Sequence, residues 1–389
     1  MGEDHSVGKA ESTAQRARTP RWARLCAIFG AVLMVGSGGM LVASQALTAR
    51  YAGAVKTQSL FVPDAAEATT KKEPVSDIKG PVNLLLVGID PRDDSTAPLS
   101  DSIIVVHVPK NLNEAYLFSI PRDLIVDIPA YDPPGYPGAP AYAGGRGKIN
   151  GAMANGSSVG NGKHDVGKGF GLLAKTVSQL TGIKQFNAGA IINFNGFKNI
   201  VDAMGGVTMY IDERTRSEHR QPDGKPRPRD ANCGCEHPYY GPYKVYEKGV
   251  QHLEGWEALD FVRQRYGLKG TDYARQRHQQ QFIKALAAQA LSKDVATNPV
   301  KIDKVLRAAG ESLIFDGKGY NVVEWGLALK GIRPDAITMI KLPGGGVGVG
   351  SNYKGEALDE SAQEFFASLT DGTIADFMIQ HPEYLNRVQ

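Results

Sequence analysis

Cysteine is scarce in this chain, with three among 389 residues, too few for a disulfide scaffold or a four-cysteine zinc site. A strong excess of one charge is missing as well. Lys and Arg number 44 against 41 Asp and Glu, too mild a balance to mark a nucleic-acid binder on composition alone. No internal repeat runs through the sequence, which excludes solenoids and propellers. No Walker A loop is present, because GGGVG at Gly344–Gly348 lacks the required lysine. What remains is a chain of 42% apolar and 22% charged residues, a globular composition that excludes global disorder. Its length fits one large or two ordinary domains.

Long apolar runs are also absent, with one exception. Leu25–Leu47 carries 23 residues without a charge; as a helix it would span about 35 Å, enough for a hydrocarbon core of about 30 Å. A cleaved signal peptide would have a shorter apolar region of about 7–15 residues and a small-residue cleavage site behind it. Lys9, Arg16, Arg18, Arg21 and Arg24 precede the run, whereas only Arg50 and Lys56 follow closely. The positive-inside rule then leaves the N-terminus in the cytoplasm and exports the rest. The expected organisation is a basic cytoplasmic tail at 1–24, one transmembrane signal anchor at 25–47, a stalk at 48–80 and an extracytoplasmic domain at 81–389 in the cell membrane.

Within that domain, short apolar runs alternate with helical spacing. Val82–Ile89, Ile103–Val108, Ala115–Ile120, Ala190–Asn193 and Val207–Ile211 read as strands, and Gly171–Leu180 and Phe197–Met204 as helices. The mixture predicts an α/β or α+β fold with a sheet covered by helices. Ala130–Gly147 and Arg214–Lys248 read as surface insertions. The second contains Cys233 and Cys235, for which a local disulfide and two free thiols both stand open. The last hundred residues show no motif.

Charge converges at two places. The polar turn Lys110–Glu114 predicts an antiparallel hairpin, and folding the chain between Asn111 and Leu112 sets Asp101 opposite Arg122. Asp90 ends the first strand, and only Pro91–Ser100 separates it from Asp101. Asp90, Asp101 and Arg122 are thus brought to one rim. Two neighbouring carboxylates repel, and a divalent cation relieves them; oxygen-only ligands favour Mg²⁺ or Mn²⁺. A capping aspartate and a surface salt bridge would be the structural alternative. In the second cluster, a strand over Phe261–Arg265 would project Arg263 and Arg265 from one face. A helix opening near Thr271 or Asp272 and running to about Leu291 would place Arg275 and Gln279 on its first turns. Arginine forks beside a helix N-terminus suit phosphate oxygens, although a solvated basic face is the usual fate of such a run. Together the clusters have the parts of phosphoryl transfer, in which arginines and a metal stabilise charge and a carboxylate takes the proton of the attacking hydroxyl. Outside the membrane the donor has to be delivered, and a lipid-linked diphosphate meets that need.

The stretches NLLLVGIDPR (Asn83–Arg92), SDSIIVVHV (Ser100–Val108), LFSIPRDLIVDIP (Leu117–Pro129), KINGAMANG (Lys148–Gly156), INFNGFKNIVDAMGGVTMYI (Ile192–Ile211), and LEGWEALDFVRQRY with DYARQRHQQ (Leu253–Gln280) resemble, in order, the LytR-CpsA-Psr family of membrane-anchored cell-envelope enzymes. The resemblance covers about residues 83–291. It implies a three-layer αβα sandwich with a central mixed sheet and an apolar tunnel for an isoprenoid chain. It further implies transfer of a glycan phosphate from a polyprenyl-diphosphate carrier to peptidoglycan. Asp90 and Asp101 stand where the family binds Mg²⁺, and Arg122, Arg263, Arg265, Arg275 and Gln279 where it grips the diphosphate. Asp90 and Arg122 are the expected catalytic pair. His278 occupies a position where the family often has arginine; a neutral imidazole there could still donate to a phosphate, and it stays outside the expected set. A polyprenyl-diphosphate phosphatase and a non-catalytic prenyl-phosphate-binding regulator are the competing functions, and no nucleic-acid partner is expected.

Overall fold

The computed structural model describes residues 55–61, 78–90, 96–230, 232–235, 237–270, 272–292, 295, 298–310 and 313–386. The chain divides into Met1–Arg50 and Tyr51–Gln389, and all described residues belong to the second unit. The tail at 1–24 and the apolar run Leu25–Leu47 lie outside them. Among the described residues no helix is long and apolar enough to cross a membrane.

A seven-stranded mixed sheet forms the centre, in the order β1, β12, β7, β2, β3, β4, β13. Its strands are β1 (Lys56–Thr57), β2 (Val82–Ile89), β3 (Ser100–Val108), β4 (Ala115–Ser119), β7 (Ala188–Asn193), β12 (Leu313–Asp316) and β13 (Ile337–Ile340). β2 and β3 run antiparallel, as do β3 and β4, while β7 lies parallel to β2 and β13 parallel to β4. Alternation along each strand feeds two cores. Leu85, Val87, Ile103, Val105 and Phe118 enter one, and Val82, Val108 and Leu117 enter the other. The first core is closed by α1 (Asn150–Ser157), α2 (Val166–Thr181), α8 (Ala362–Asp371) and α9 (Ile374–Gln380), through Met153, Phe170, Phe365 and Met378. The second receives Ala309 of α6 (Pro299–Gly310) and Trp325 of α7 (Val322–Ala328). Helices on both faces make the layers αβα, as expected.

Sequence chemistry explains several boundaries. α2 starts earlier than its apolar spacing indicates, because the Asp165 carboxylate accepts from the Gly167 and Lys168 amides at 2.8 and 3.2 Å. α1 and α2 approach so closely that a Cβ on Gly169 would stand 2.4 Å from the Met153 carbonyl oxygen. Phe118 is fully buried and packs edge-on against Phe365 at 5.2 Å between ring centres. Phe118→Ala is therefore expected to cost about 3–5 kcal/mol of stability, read as a lower denaturant midpoint at unchanged slope.

One expectation is corrected. Residues 55–61, expected within a stalk, are built into the domain: β1 pairs with β12, Leu60 is buried in the first core, and its amide donates to Asp316 at 2.8 Å. A two-residue strand and isolated apolar anchors carry no periodicity, so composition alone cannot reveal them. The C-terminal hundred residues supply β12, β13, α8 and α9, hence two sheet positions and part of the first core. The remaining strands form small satellite pairs: β5 (Ile125–Ile128) with β6 (Gly145–Lys148), β8 (Val207–Ile211) with β11 (Gly249–Leu253), β9 (Thr215–Arg216) with β10 (Val245–Tyr246), and β14 (Gly344–Val347) with β15 (Gly355–Leu358). The insertion Ala130–Gly147 is largely surface, but Tyr131 is buried and bridges to Tyr142. In the other insertion Cys233 and Cys235 form a disulfide.

Candidate active site at the carboxyl rim of the sheet

The carboxyl ends of β2, β7 and β4 meet the amino end of β3 at one rim. Ile89 at the end of β2 is level with both Ser100 and Asn193, and the chain leaves Asn193 directly into α3 (Phe194–Ala203). Crevices at this end of an α/β sheet are common ligand sites. The β3–β4 register, with Ile104 opposite Ser119 and His107 opposite Tyr116, matches a fold centred between Asn111 and Leu112. Continued past Ser119 it sets Asp101 against Arg122, and the Arg122 guanidinium does donate to the Asp101 carboxylate. One detail lay beyond sequence reasoning. The β2–β3 register steps between Gly88 and Ile89, from Ser102 to Ser100, so Asp101 is the extra residue of a β-bulge. Bulges re-aim side chains next to functional sites.

The arginine-rich stretch differs from its expected form. Phe261–Arg265 is not a strand; α4 (Gly255–Arg263) runs through most of it. A capping box between Glu254 and Glu257 opens the helix, and Ala258, Phe261 and Val262 bury at helical spacing. The chain then turns extended at Gln264. Gln264 is buried, donating to the Asp260 carbonyl and carboxylate at 2.8 and 2.9 Å and accepting from the Glu218 amide at 2.9 Å. Tyr246 donates to the other Asp260 oxygen at 2.9 Å. Arg263 and Arg265, on either side of this anchored glutamine, keep about a third of their side-chain surface exposed, 35% and 32%. Arg263 lies over the Phe194 ring at 4.1 Å and approaches Asp90 at 3.5 Å.

α5 (Asp272–Ala290) completes the rim. Arg275 is buried and pairs with Asp272 at 2.7 Å, and the Arg265 Nε stands 4.0 Å from the same carboxylate oxygen. Burial pushes the Arg275 guanidinium down to about 10; Asp272 and Asp101 oppose this, and Arg122 and Arg265 add to it. It remains charged at neutral pH, and those four neighbours place both clusters in one field. Positive potential extends into the 214–248 segment: burial, then Arg263, Arg220 and Arg227, hold His219 down at about 4. Asp272→Ala would leave Arg275 buried without its partner, and a loss of about 3–5 kcal/mol is expected; thermal unfolding with and without added pyrophosphate measures both the loss and its partial recovery by the anion.

Every expected residue of the described chain reaches the rim, but the roles differ. Arg122, Arg265 and Arg275 each present a buried Nε that has no hydrogen-bond partner among the described residues. Gln279 instead braces the walls, accepting from the Ser102 hydroxyl at 2.8 Å and donating to the Val262 carbonyl at 3.4 Å. His278, which lies outside the set expected from the sequence, is fully buried, stacked on Phe261 at 4.3 Å, and directed toward Asp212 and Glu213. Asp90 and Asp101 are oxygen donors, the chemistry a hard divalent cation takes, and beside Asp101 the buried Ser100 hydroxyl has no hydrogen-bond partner among the described residues.

Three contributors escaped sequence reasoning. Gln280 fastens α5 to the rim by donating to the Ser119 hydroxyl at 3.0 Å and the Ile340 carbonyl at 2.9 Å. The β14–β15 hairpin brings Tyr353 and Glu356 beside Arg122: the Glu356 amide donates to the Asp123 carbonyl at 2.8 Å, and Tyr353 donates to the Glu356 carboxylate at 2.8 Å. A Cβ on Gly355 would meet that Asp123 oxygen at 2.6 Å, so the docking needs glycine. The glycine run Gly344–Gly348, which contains β14 of the hairpin, was the sole signal in the sequence.

The rim can therefore hold an oxyanion with several charges, through guanidinium donors fixed by their own carboxylate partners, next to two acids able to carry a proton or a cation. The chain is 27% identical over 285 residues to the cell wall biosynthesis protein LcpA of Corynebacterium glutamicum, covering 68% of this chain and 50% of that protein. It is 30% identical over 207 residues to the polyisoprenyl-teichoic acid–peptidoglycan teichoic acid transferase TagU of Bacillus cereus, covering 53% of this chain and 51% of that one. The chain thus spans about half the length of these relatives. Its fold is that of TagT bound to LI-WTA (TM-score 0.52, 22% identity, 78% of this chain and 94% of that one) and of Bacillus subtilis TagU (TM-score 0.50, 20% identity, 76% and 97%). The LytR_cpsA_psr family profile matches residues 51–370, and the chain belongs to that family.

Proposed function

We propose that the chain is a phosphotransferase that moves a glycopolymer phosphate from a polyprenyl-diphosphate carrier to peptidoglycan. The observation that carries this reading is the set of three buried arginine Nε donors, on Arg122, Arg265 and Arg275, that make no hydrogen bond among the described residues, with carboxylates no nearer than 3.8 Å to Arg122 Nε and 4.0 Å to Arg265 Nε. Buried donors cost stability unless an acceptor is meant to arrive, and three guanidinium groups around one rim call for a dense anion such as a diphosphate. Relatives named as teichoic acid–peptidoglycan transferases support the polymer class.

In this reading Arg263, Arg265 and Arg275 hold the diphosphate and Arg122 faces the transferring group. The acceptor hydroxyl oxygen bonds to the glycan-side phosphorus, the bond from that phosphorus to the bridging oxygen breaks, and prenyl monophosphate leaves with the electron pair. Asp90 takes the hydroxyl proton. Asp90 and Asp101 would hold Mg²⁺, which when bound offsets the charge of the phosphates. The run Leu25–Leu47 anchors the chain with its N-terminus in the cytoplasm, so the domain meets donor and acceptor outside the membrane.

The test uses the full chain in detergent with a polyprenyl-diphosphate glycan donor and peptidoglycan fragments. A phosphodiester between glycan and acceptor, formed in step with prenyl monophosphate, is expected. Free glycan phosphate at the same rate with and without acceptor would replace transfer by hydrolysis. Binding of the donor with neither product would leave a carrier or regulator.

A further inference from the structure

Behind the arginine rim, donor atoms of Asp212, Glu213 and His278 lie within 4.8 Å of one another. Asp212 and Glu213 directly follow β8, and His278 comes from α5, one residue before Gln279. His278 is fully buried; its Nδ1 has no hydrogen-bond partner among the described residues, and its Nε2 and the buried Asp212 Oδ1 face only each other, at the long end of hydrogen-bond reach. His278 Nε2 stands 3.5 Å from Asp212 Oδ1 and 3.9 Å from Glu213 Oε1. Gln281, three residues on along α5 and so on a neighbouring face, is buried with neither amide atom partnered. Orphaned buried polar atoms are rare enough that several around two acids require an explanation.

A proton shared between His278 and Asp212 answers this poorly. A charge-assisted bond of that kind is about 2.7–2.9 Å long, shorter than the 3.5 Å separation observed, and it leaves Nδ1 and Glu213 unaddressed. A metal answers it better. Bonds of about 2.0–2.1 Å from imidazole nitrogen and carboxylate oxygen to a tetrahedral centre separate the donor atoms by about 3.3–3.4 Å, close to the 3.5 Å between His278 Nε2 and Asp212 Oδ1 and shorter than the 3.9 Å to Glu213 Oε1. The supporting shell is present too. Arg277 donates to Asp212 Oδ2 at 2.6 Å and to the Glu213 carboxylate, and Phe261 stacks on the His278 ring. Such partners orient metal ligands. Arg277 offsets one of the two carboxylate charges, which leaves a single negative charge to attract a cation.

We propose that Asp212, Glu213 and His278 bind one divalent transition-metal ion, for which Zn²⁺ matches the mixed oxygen and nitrogen donors, and that the ion pins β8 to α5 behind Arg275 and Gln279. This site is separate from the oxygen-only pair Asp90 and Asp101 and does not depend on the proposed transfer reaction. The full chain in detergent, stripped with a chelator and dialysed against micromolar Zn²⁺, should take up one ion at this site, and Co²⁺ in its place should give the visible absorption of a tetrahedral centre. His278→Gln and Glu213→Gln should each weaken uptake at least 10-fold, whereas Asp90→Ala should not. Glu213 is partly exposed, so its variant decides the matter if the His278 variant misfolds. Uptake unchanged in Glu213→Gln, or no Zn²⁺ and no Co²⁺ band in the wild type, would overturn the site and return His278 and Asp212 to a proton-sharing pair.

Discussion

Arg122→Ala is expected to lower turnover of a polyprenyl-diphosphate donor by about 10²–10³-fold while the protein remains folded. Removal of one preorganised donor aimed at developing charge has an effect of that order. Arg122 is suited to such a role because Asp101 holds one of its terminal nitrogens while its buried Nε, 3.8 Å from the Asp123 carboxylate, makes no hydrogen bond among the described residues. The surrounding architecture is fixed independently: the Arg122 carbonyl accepts from the Asn150 amide at 3.1 Å, and the Ile120 amide donates to Ile103 at 2.9 Å. The loss should fall on kcat with little change in KM, since the other arginines still hold the donor. An equal rise in KM would make Arg122 a binding group alone.

The paired substitution Arg263→Ala and Arg265→Ala should act on affinity. Charge-assisted hydrogen bonds contribute roughly 1.5–3 kcal/mol each, so the double variant should bind a prenyl diphosphate about 10²–10⁴-fold more weakly. Part of that loss reflects position rather than charge: Arg263 also lies over Phe194 and pairs with Asp90. The double lysine variant separates the two contributions. It keeps the charge but loses the planar fork, and recovery of most of the affinity would show that point charge suffices. Unchanged affinity in the double alanine variant would remove the phosphate clamp.

Much of this site was legible in the sequence because short connections dictate geometry. Val82–Ile89 and Val207–Ile211 have the observed strand bounds, and a polar turn of known length fixes which residues of a hairpin face one another. Asp101 therefore meets Arg122 with no long-range information needed. The bulge at Asp101 was not legible, since register slips depend on both strands. LDFVRQR misleads because Arg263 and Arg265, two residues apart, would share one face of a strand, whereas a capping box upstream and burial of Phe261 and Val262 select a helix. His278 shows the opposite limit. Its neighbours in sequence, Arg275 and Gln279, belong to the rim, but the helical turn rotates its ring away from Gln279 and against Phe261. Tyr353, Glu356 and Gln280 act through tertiary contacts to Asp123, Ser119 and Ile340, which no local pattern encodes.

The most direct measurement is release of prenyl monophosphate from a prenyl diphosphate by the full chain in detergent, with and without Mg²⁺, in the wild type and in Asp90→Ala. Metal-dependent release by the wild type that vanishes in the variant is the expected result. Release that persists in Asp90→Ala, or a wild type that neither binds nor cleaves the diphosphate, would mean that the rim of arginines is a solvated face and not an active site.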